Sequence, residues 1–240
     1  MNEQSVGSRP TQKLHLALLI ACCLLPAAQT LITVHWEWHT PITHPALKAL
    51  MVIIPLLVWR RSRRGRKDLL KHIGWQRTTF LPGLLTGAAL SAVVLLAYYT
   101  VLPTMIDFAP VAQELARKLD SMGLRNYYWL MAATVSLLNA FLEEYYWRAF
   151  LLGEVFERIG RGLLACLLCG GLFGLHHILA LSSIESPGLI ALGAGATAIA
   201  ATLWGWLRAR GSSIFDCYVS HLMVDLAVFW VGYDLISSVA

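Results

Sequence analysis

The chain has 240 residues, 57% of them hydrophobic and 14% charged, with nine tryptophans and a formal net charge of +5. A soluble domain of this length needs far more polar surface, so a water-soluble globular fold is excluded. The basic residues gather at the edges of apolar runs, where they act as topology signals, which argues against a nucleic-acid partner.

Runs of about 18–23 apolar residues, enough to cross a ~30 Å hydrocarbon core, recur along the chain. They predict an all-α, polytopic transmembrane bundle with spans at 14–34, 43–59, 80–102, 127–152, 163–181, 188–207 and 214–232. That makes about seven spans (six to eight), since boundaries read this way carry an error of a few residues. The first run resembles a signal-peptide core around Ala27-Ala28, yet it continues through Leu31-Ile32-Thr33-Val34 and is read as a retained helix.

Arg9 and Lys13 precede the first span; Arg60, Arg61, Arg63, Arg64, Arg66, Lys67, Lys71 and Arg77 follow the second. Arg158 and Arg161 follow the fourth, and Arg208 and Arg210 the sixth. Seven spans put all of these on one side, predicted to be cytoplasmic, with the N-terminus there and the C-terminus opposite. Loops 35–42 and 182–187 contain no Lys or Arg. The 60–77 stretch reads as a topology-setting loop, contact with anionic lipid being the weaker alternative. In loop 103–126, residues 109–119 read as a short amphipathic helix on the outer surface. The chain is a single membrane domain: residues 1–79 hold the N-terminal helices and the basic loop, and residues 80–240 the core with the polar motifs.

Smaller features read as structural. Cys22, Cys23, Cys166, Cys169 and Cys217 lie in apolar segments and predict no disulfide framework. His35-Trp36-Glu37-Trp38-His39, with His44, marks an aromatic interfacial belt rather than a metal site. Gly211-Ser212-Ser213 reads as a helix N-cap.

Three spans carry polar groups in hydrocarbon, where an Asp or Arg at a helix centre costs roughly 2.5–3.5 kcal/mol on insertion scales. Such groups face a bundle interior or a wet cavity. In Glu143-Glu144-Tyr145-Tyr146-Trp147-Arg148, Glu144 and Arg148 share a helix face and can pair. Glu143 is offset by about 100° and stays free for chemistry. In Phe173-Gly174-Leu175-His176-His177, Phe173 and His177 share a face, while Gly170, Gly171 and Gly174 allow a neighbouring helix to come close. His221 and Asp225 also stand four apart. At 1.5 Å per residue from the cytoplasmic ends, Glu143 lies ~15 Å deep, His177 ~20 Å, His221 ~12 Å and Asp225 ~18 Å. One layer holds them all.

Glu143-Glu144-x-x-x-Arg148, Phe173-x-x-x-His177 and His221-x-x-x-Asp225, in that order over residues 125–235, resemble the motifs of the CPBP family, the CAAX-processing and bacteriocin-processing (ABI) intramembrane proteases. The resemblance implies an intramembrane endopeptidase with a water-accessible cavity. Glu143 would activate water with help from His177, His221 and Asp225 would stabilise the oxyanion, and Glu144, Arg148 and Phe173 would support the site. The third motif most often ends in Asn, and here it ends in Asp225. An ionised Asp would repel an oxyanion, whereas a protonated one donates a hydrogen bond as an amide does. No cofactor is favoured; the alternative is a zinc ion on His177, His221 and Asp225, two imidazoles and a carboxylate with an open position.

The expected partners are the lipid bilayer and a membrane-associated protein or peptide substrate. Two other functions fit buried acids and histidines: a proton- or cation-coupled transporter, and a catalytically silent immunity or scaffold protein. The absence of an inverted repeat weighs against transport.

Overall fold

The computed structural model describes residues 14–32, 40–62, 64–182 and 186–239, and among them it contains helices and no strand. The expected aromatic and histidine belt at 35–39 lies outside the described residues. Helix α1 spans Leu16–Thr30, α2 Thr40–Arg61 and α3 Arg66–Ile73. Helix α4, Leu81–Leu96, continues through a π turn and a 3-10 turn to Thr104. A surface helix, α5, covers Ala109–Ser121. Helix α6 runs over 128–159 with two π-helical stretches, Val135–Asn139 and Glu144–Leu151. It is followed by α7 Leu163–Leu181, α8 Pro187–Ala209 and α9 Ile214–Ser237.

Four of the described helices are long and apolar enough to cross a membrane: α4 with its continuation, α7, α8 and α9. Their outer faces expose Leu84, Leu85, Val93 and Leu96 on α4 and Leu164, Leu167, Leu168 and Leu175 on α7. An apolar surface that broad suits lipid, not water. The chain is an integral membrane protein.

Two tight helix pairs frame the bundle, α7 with α8 and α4 with α9. Each pair closes on a Gly-x-x-x-Gly edge, because in lipid close backbone approach replaces hydrophobic drive. A Cβ at Gly170 would lie 2.1 Å from Thr202 Oγ1, and one at Gly174 would lie 2.6 Å from the Ala198 Cβ, both on α8. Gly83 and Gly87 of α4 meet Asp216 and Met223 of α9 equally closely. Gly171 differs from the expectation: it faces open space, since it lies about 100° round the helix from Gly170.

Helix α6 threads between the pairs. The Tyr146 hydroxyl donates to the Cys22 carbonyl of α1 (2.8 Å) and the Tyr145 hydroxyl to the Val52 carbonyl of α2 (3.0 Å). Ser213 caps α9 as expected: its hydroxyl accepts from Phe215 N–H and its own N–H donates to Asp216 Oδ2 at 2.9 Å. The expected amphipathic helix is α5, which buries Ala112, Ala116 and Leu119. The five cysteines are free thiols within the helices.

The 60–77 stretch is not only a loop. Leu69 and Ile73 give α3 an apolar edge against the core, and Gly74, at φ 75°, ends the helix in a left-handed turn. Arg208 of α8 secures that end by donating to the carbonyls of His72 (3.2 Å) and Ser212 (3.1 Å). Two residues of this basic stretch, Arg64 and His72, are buried against Glu154 and Glu157 near the end of α6.

Candidate active site

Residues from α6, α7 and α9 meet in one buried cluster. Glu144 is fully enclosed and pairs with Arg148 at 3.0 Å, as the four-residue spacing implies. The guanidinium also lies over two aromatic faces, 4.4 Å from the Phe173 ring centre and 4.8 Å from that of Trp204. Glu144 Oε1 further accepts from His221 Nδ1–H at 2.9 Å. Glu144 therefore fixes Arg148 and holds the His221 ring by a proton on Nδ1. Trp204 stacks on the His221 ring at 4.4 Å with a 21° tilt, and its indole N–H donates to Ser220 Oγ at 2.8 Å.

Glu143 is buried too, but its environment is different. Its Oε2 lies 3.7 Å from His221 Nε2, and its Oε1 lies 4.0 Å from His176 Nε2. Both separations exceed a direct hydrogen bond. Among the described residues no Lys or Arg stands within ion-pair reach of Glu143, so the helix divides its carboxylates between an arginine-bound acid and one faced by imidazoles. His177 Nδ1–H donates to its own helix at Phe173 O (2.8 Å), which leaves Nε2 with a free lone pair. His221 Nε2 also lies 3.4 Å from Asp225 Oδ1, and Asp225 is the more exposed member of that pair.

All four residues expected to act in chemistry, Glu143, His177, His221 and Asp225, border this cluster, and Phe173 forms its aromatic floor. Four others join them without having been anticipated. His176 is buried, stacks on Trp147 at 5.8 Å and brings Nε2 to 4.0 Å from Glu143 Oε1. Trp204 comes from α8, where it and Trp206 carry no local signal in an apolar span. Asn139 stands one turn before Glu143 and donates through Nδ2 to Glu143 Oε1 at 2.9 Å. Lys48 of α2 donates to Asn139 Oδ1 at 2.6 Å. A lone lysine inside an apolar run is itself a signal of function.

One group of possible metal-ligand atoms converges among the described residues: Glu143, His176 and His177, all within 4.8 Å of one another. It shares only His177 with the set suggested by spacing. Two imidazoles and a carboxylate are a donor set that zinc accepts, and His177 Nδ1–H on a backbone carbonyl is the usual support for a ligating imidazole.

Fold and site together define a helical membrane protein with a buried carboxylate–imidazole centre. The family model for the type II CAAX prenyl endopeptidase Rce1-like matches residues 125–227, less than half of the chain but containing all three motifs. That segment is similar to the type II CAAX prenyl endopeptidases, the family the motifs resemble. Comparison with curated proteins and with solved structures gave no match.

Proposed function

We propose that this protein is an intramembrane endopeptidase that hydrolyses a peptide bond of a membrane-associated protein with Glu143 as the general base. The observation that carries this reading is the contrast between two adjacent carboxylates. Glu144 is held by Arg148 and His221, while Glu143 faces the imidazoles of His176, His177 and His221 beyond direct hydrogen-bond reach. In the reaction, Glu143 takes a proton from water, assisted by the free lone pair of His177, and the water oxygen bonds to the scissile carbonyl carbon. The carbonyl π electrons move onto oxygen, where two donors stand: His221 as an imidazolium, its Nδ1–H held by Glu144 and its Nε2–H free to donate, and Asp225 in its protonated form. Collapse of the oxyanion breaks the C–N bond, and the proton held by Glu143 passes to the leaving amine.

The finer topology belongs to the same proposal: seven spans, with the N-terminus and the 60–77 segment cytoplasmic and the site in the cytoplasmic half of the bilayer. A prenylated protein ending in a CAAX sequence is the substrate class that the matched family's description favours. A second reading rests on the convergence of Glu143, His176 and His177: bound zinc would supply Lewis-acid activation of water, and these three residues would hold it.

Purified protein in detergent, assayed on a farnesylated CAAX peptide, tests both. Glu143→Gln should abolish cleavage while leaving accumulation intact, because the amide keeps the shape and cannot take the proton. Full activity in that variant would sink the catalytic assignment. Stoichiometric zinc in the wild type, lost together with activity in Glu143→Gln, would replace the metal-free reading by the second.

A further inference from the structure

Lys48 sits about 12 Å along α2 from Thr40, at 1.5 Å per residue, and so within the apolar stretch. An ammonium there is costly unless something compensates it, and lysines near helix ends normally extend toward the interface. Lys48 crosses instead to another helix. Its ammonium donates to Asn139 Oδ1 at 2.6 Å, and the same amide donates through Nδ2 to Glu143 Oε1 at 2.9 Å. Among the described residues, no carboxylate stands within 4 Å of the Lys48 ammonium. Its route to a negative charge runs through one amide side chain.

The chemistry of that link is restrictive. An ammonium only donates and an ionised carboxylate only accepts. The group between them must therefore accept on one side and donate on the other, which an amide does and an ionised carboxylate or an aliphatic side chain does not. Hydrogen bonds in series polarise one another, so the positive end of the chain strengthens the N–H donated to the carboxylate. The link also occupies one oxygen selectively. Oε1 takes the Asn139 hydrogen bond, while Oε2 faces His221 Nε2 across 3.7 Å.

We propose that Lys48 and Asn139 are positioning residues that hold Glu143 by Oε1 and leave Oε2 as the oxygen that takes the proton from water. This rests on the reading of Glu143 as general base. It adds that α2, which lies outside the matched segment 125–227, completes the site. Asn139 is placed for this by ending the first π stretch of α6, one turn before Glu143; such turns recur at functional sites because they re-aim side chains.

The test compares Lys48→Met, Lys48→Arg, Asn139→Asp and Glu143→Gln in the full-length protein, with kcat and KM measured on the farnesylated CAAX peptide. Lys48→Met should lower kcat roughly tenfold to a hundredfold, the range found when partners behind a catalytic ligand are removed, and should leave KM unchanged. Lys48→Arg restores a charged donor and should recover most of kcat. In Asn139→Asp the new carboxylate, kept ionised by contact with the Lys48 ammonium, keeps a partner for Lys48 but turns an acceptor toward Glu143, so kcat should fall without loss of accumulation. Wild-type kcat in Lys48→Met, or a loss seen only in KM, would overturn the positioning role; the latter would make Lys48 a substrate contact. If Lys48→Met fails to accumulate, Asn139→Asp decides, and full kcat there overturns the proposal. Glu143→Gln keeps the two readings apart. An active Glu143→Gln defeats the base assignment itself, whereas an inactive one beside a fully active Lys48→Met defeats only the positioning chain.

Discussion

Arg148 shows how one residue organises the site without touching the reacting atoms. It pairs with Glu144, lies over Phe173 and Trp204, and through Glu144 orients the His221 ring by its Nδ1–H. Planarity matters as much as charge, because a flat guanidinium packs against aromatic faces while an ammonium is a point charge. Removing Glu144 leaves Arg148 buried without its carboxylate, and removing Arg148 leaves Glu144 buried without its guanidinium. Glu144→Ala or Arg148→Ala should therefore destabilise the fold by about 3–5 kcal/mol. The expected result is reduced accumulation in the membrane and a lower unfolding temperature in detergent, together with lost activity. A variant that accumulates and unfolds like the wild type, and loses only turnover, would show that the pair acts in chemistry instead of architecture.

Among the elements, α7 bears two demands on one sequence: its glycines must admit α8 while Phe173, His176 and His177 face α6. Helical periodicity separates them. Gly170 and Gly174 lie four apart on the α8 edge, whereas Gly171 faces open space. Gly174→Val should force α7 and α8 apart, at a cost of about 1–3 kcal/mol typical of overpacking. Activity should fall with it, because Trp204 on α8 stacks on His221. Gly171→Val meets nothing and should be tolerated, so thermal unfolding of the two variants side by side is the check. Equal destabilisation would mean that helix propensity, not close packing, governs α7. Spacing made both the Glu144–Arg148 pair and the glycine edge legible, since each depends only on helical geometry. The π stretches of α6 were not legible: Val135–Asn139 and Glu144–Leu151 read as ordinary helix, and the unwinding arises where tertiary contacts outweigh the regular ladder.

For the whole molecule, hydropathy marked where the chain runs through lipid, and the order of the motifs marked which helices meet. What it could not express was a charged residue acting from outside the motif-bearing half. Lys48 lies in an apolar run, and Arg64 and His72 fall in the 60–77 stretch that reads as a topology-setting loop. In the structure the latter two are buried around Glu154 near the end of α6. Arg64 Nη1 lies 3.7 Å and His72 Nε2 3.4 Å from Glu154 Oε1, and His72 Nδ1 is 3.3 Å from Glu157. This contact anchors α3, and with it the connection between α2 and α4, onto α6. Glu154 lies beyond the apolar stretch of α6, and its titration is set by opposing influences. Burial pushes the carboxyl up, but contact with His72 and the charges of His72 and Arg64 outweigh it, so the group stands below its ordinary value of 4.5. A carboxylate with a depressed folded-state value contributes stability that is present above the unfolded value and lost as pH falls through the folded one. The anchor should accordingly be intact at neutral pH and weaken below pH 4.5. Glu154→Gln should cost roughly 1–3 kcal/mol at neutral pH, by leaving buried charged donors without their acceptor. It should also flatten the fall of unfolding temperature with acid, because the titrating group has gone. Unfolding curves for wild type and Glu154→Gln between neutral pH and pH 3 would show the two converging as the medium turns acidic. Curves that stay parallel throughout would mean that Glu154 does not couple the folded state to pH.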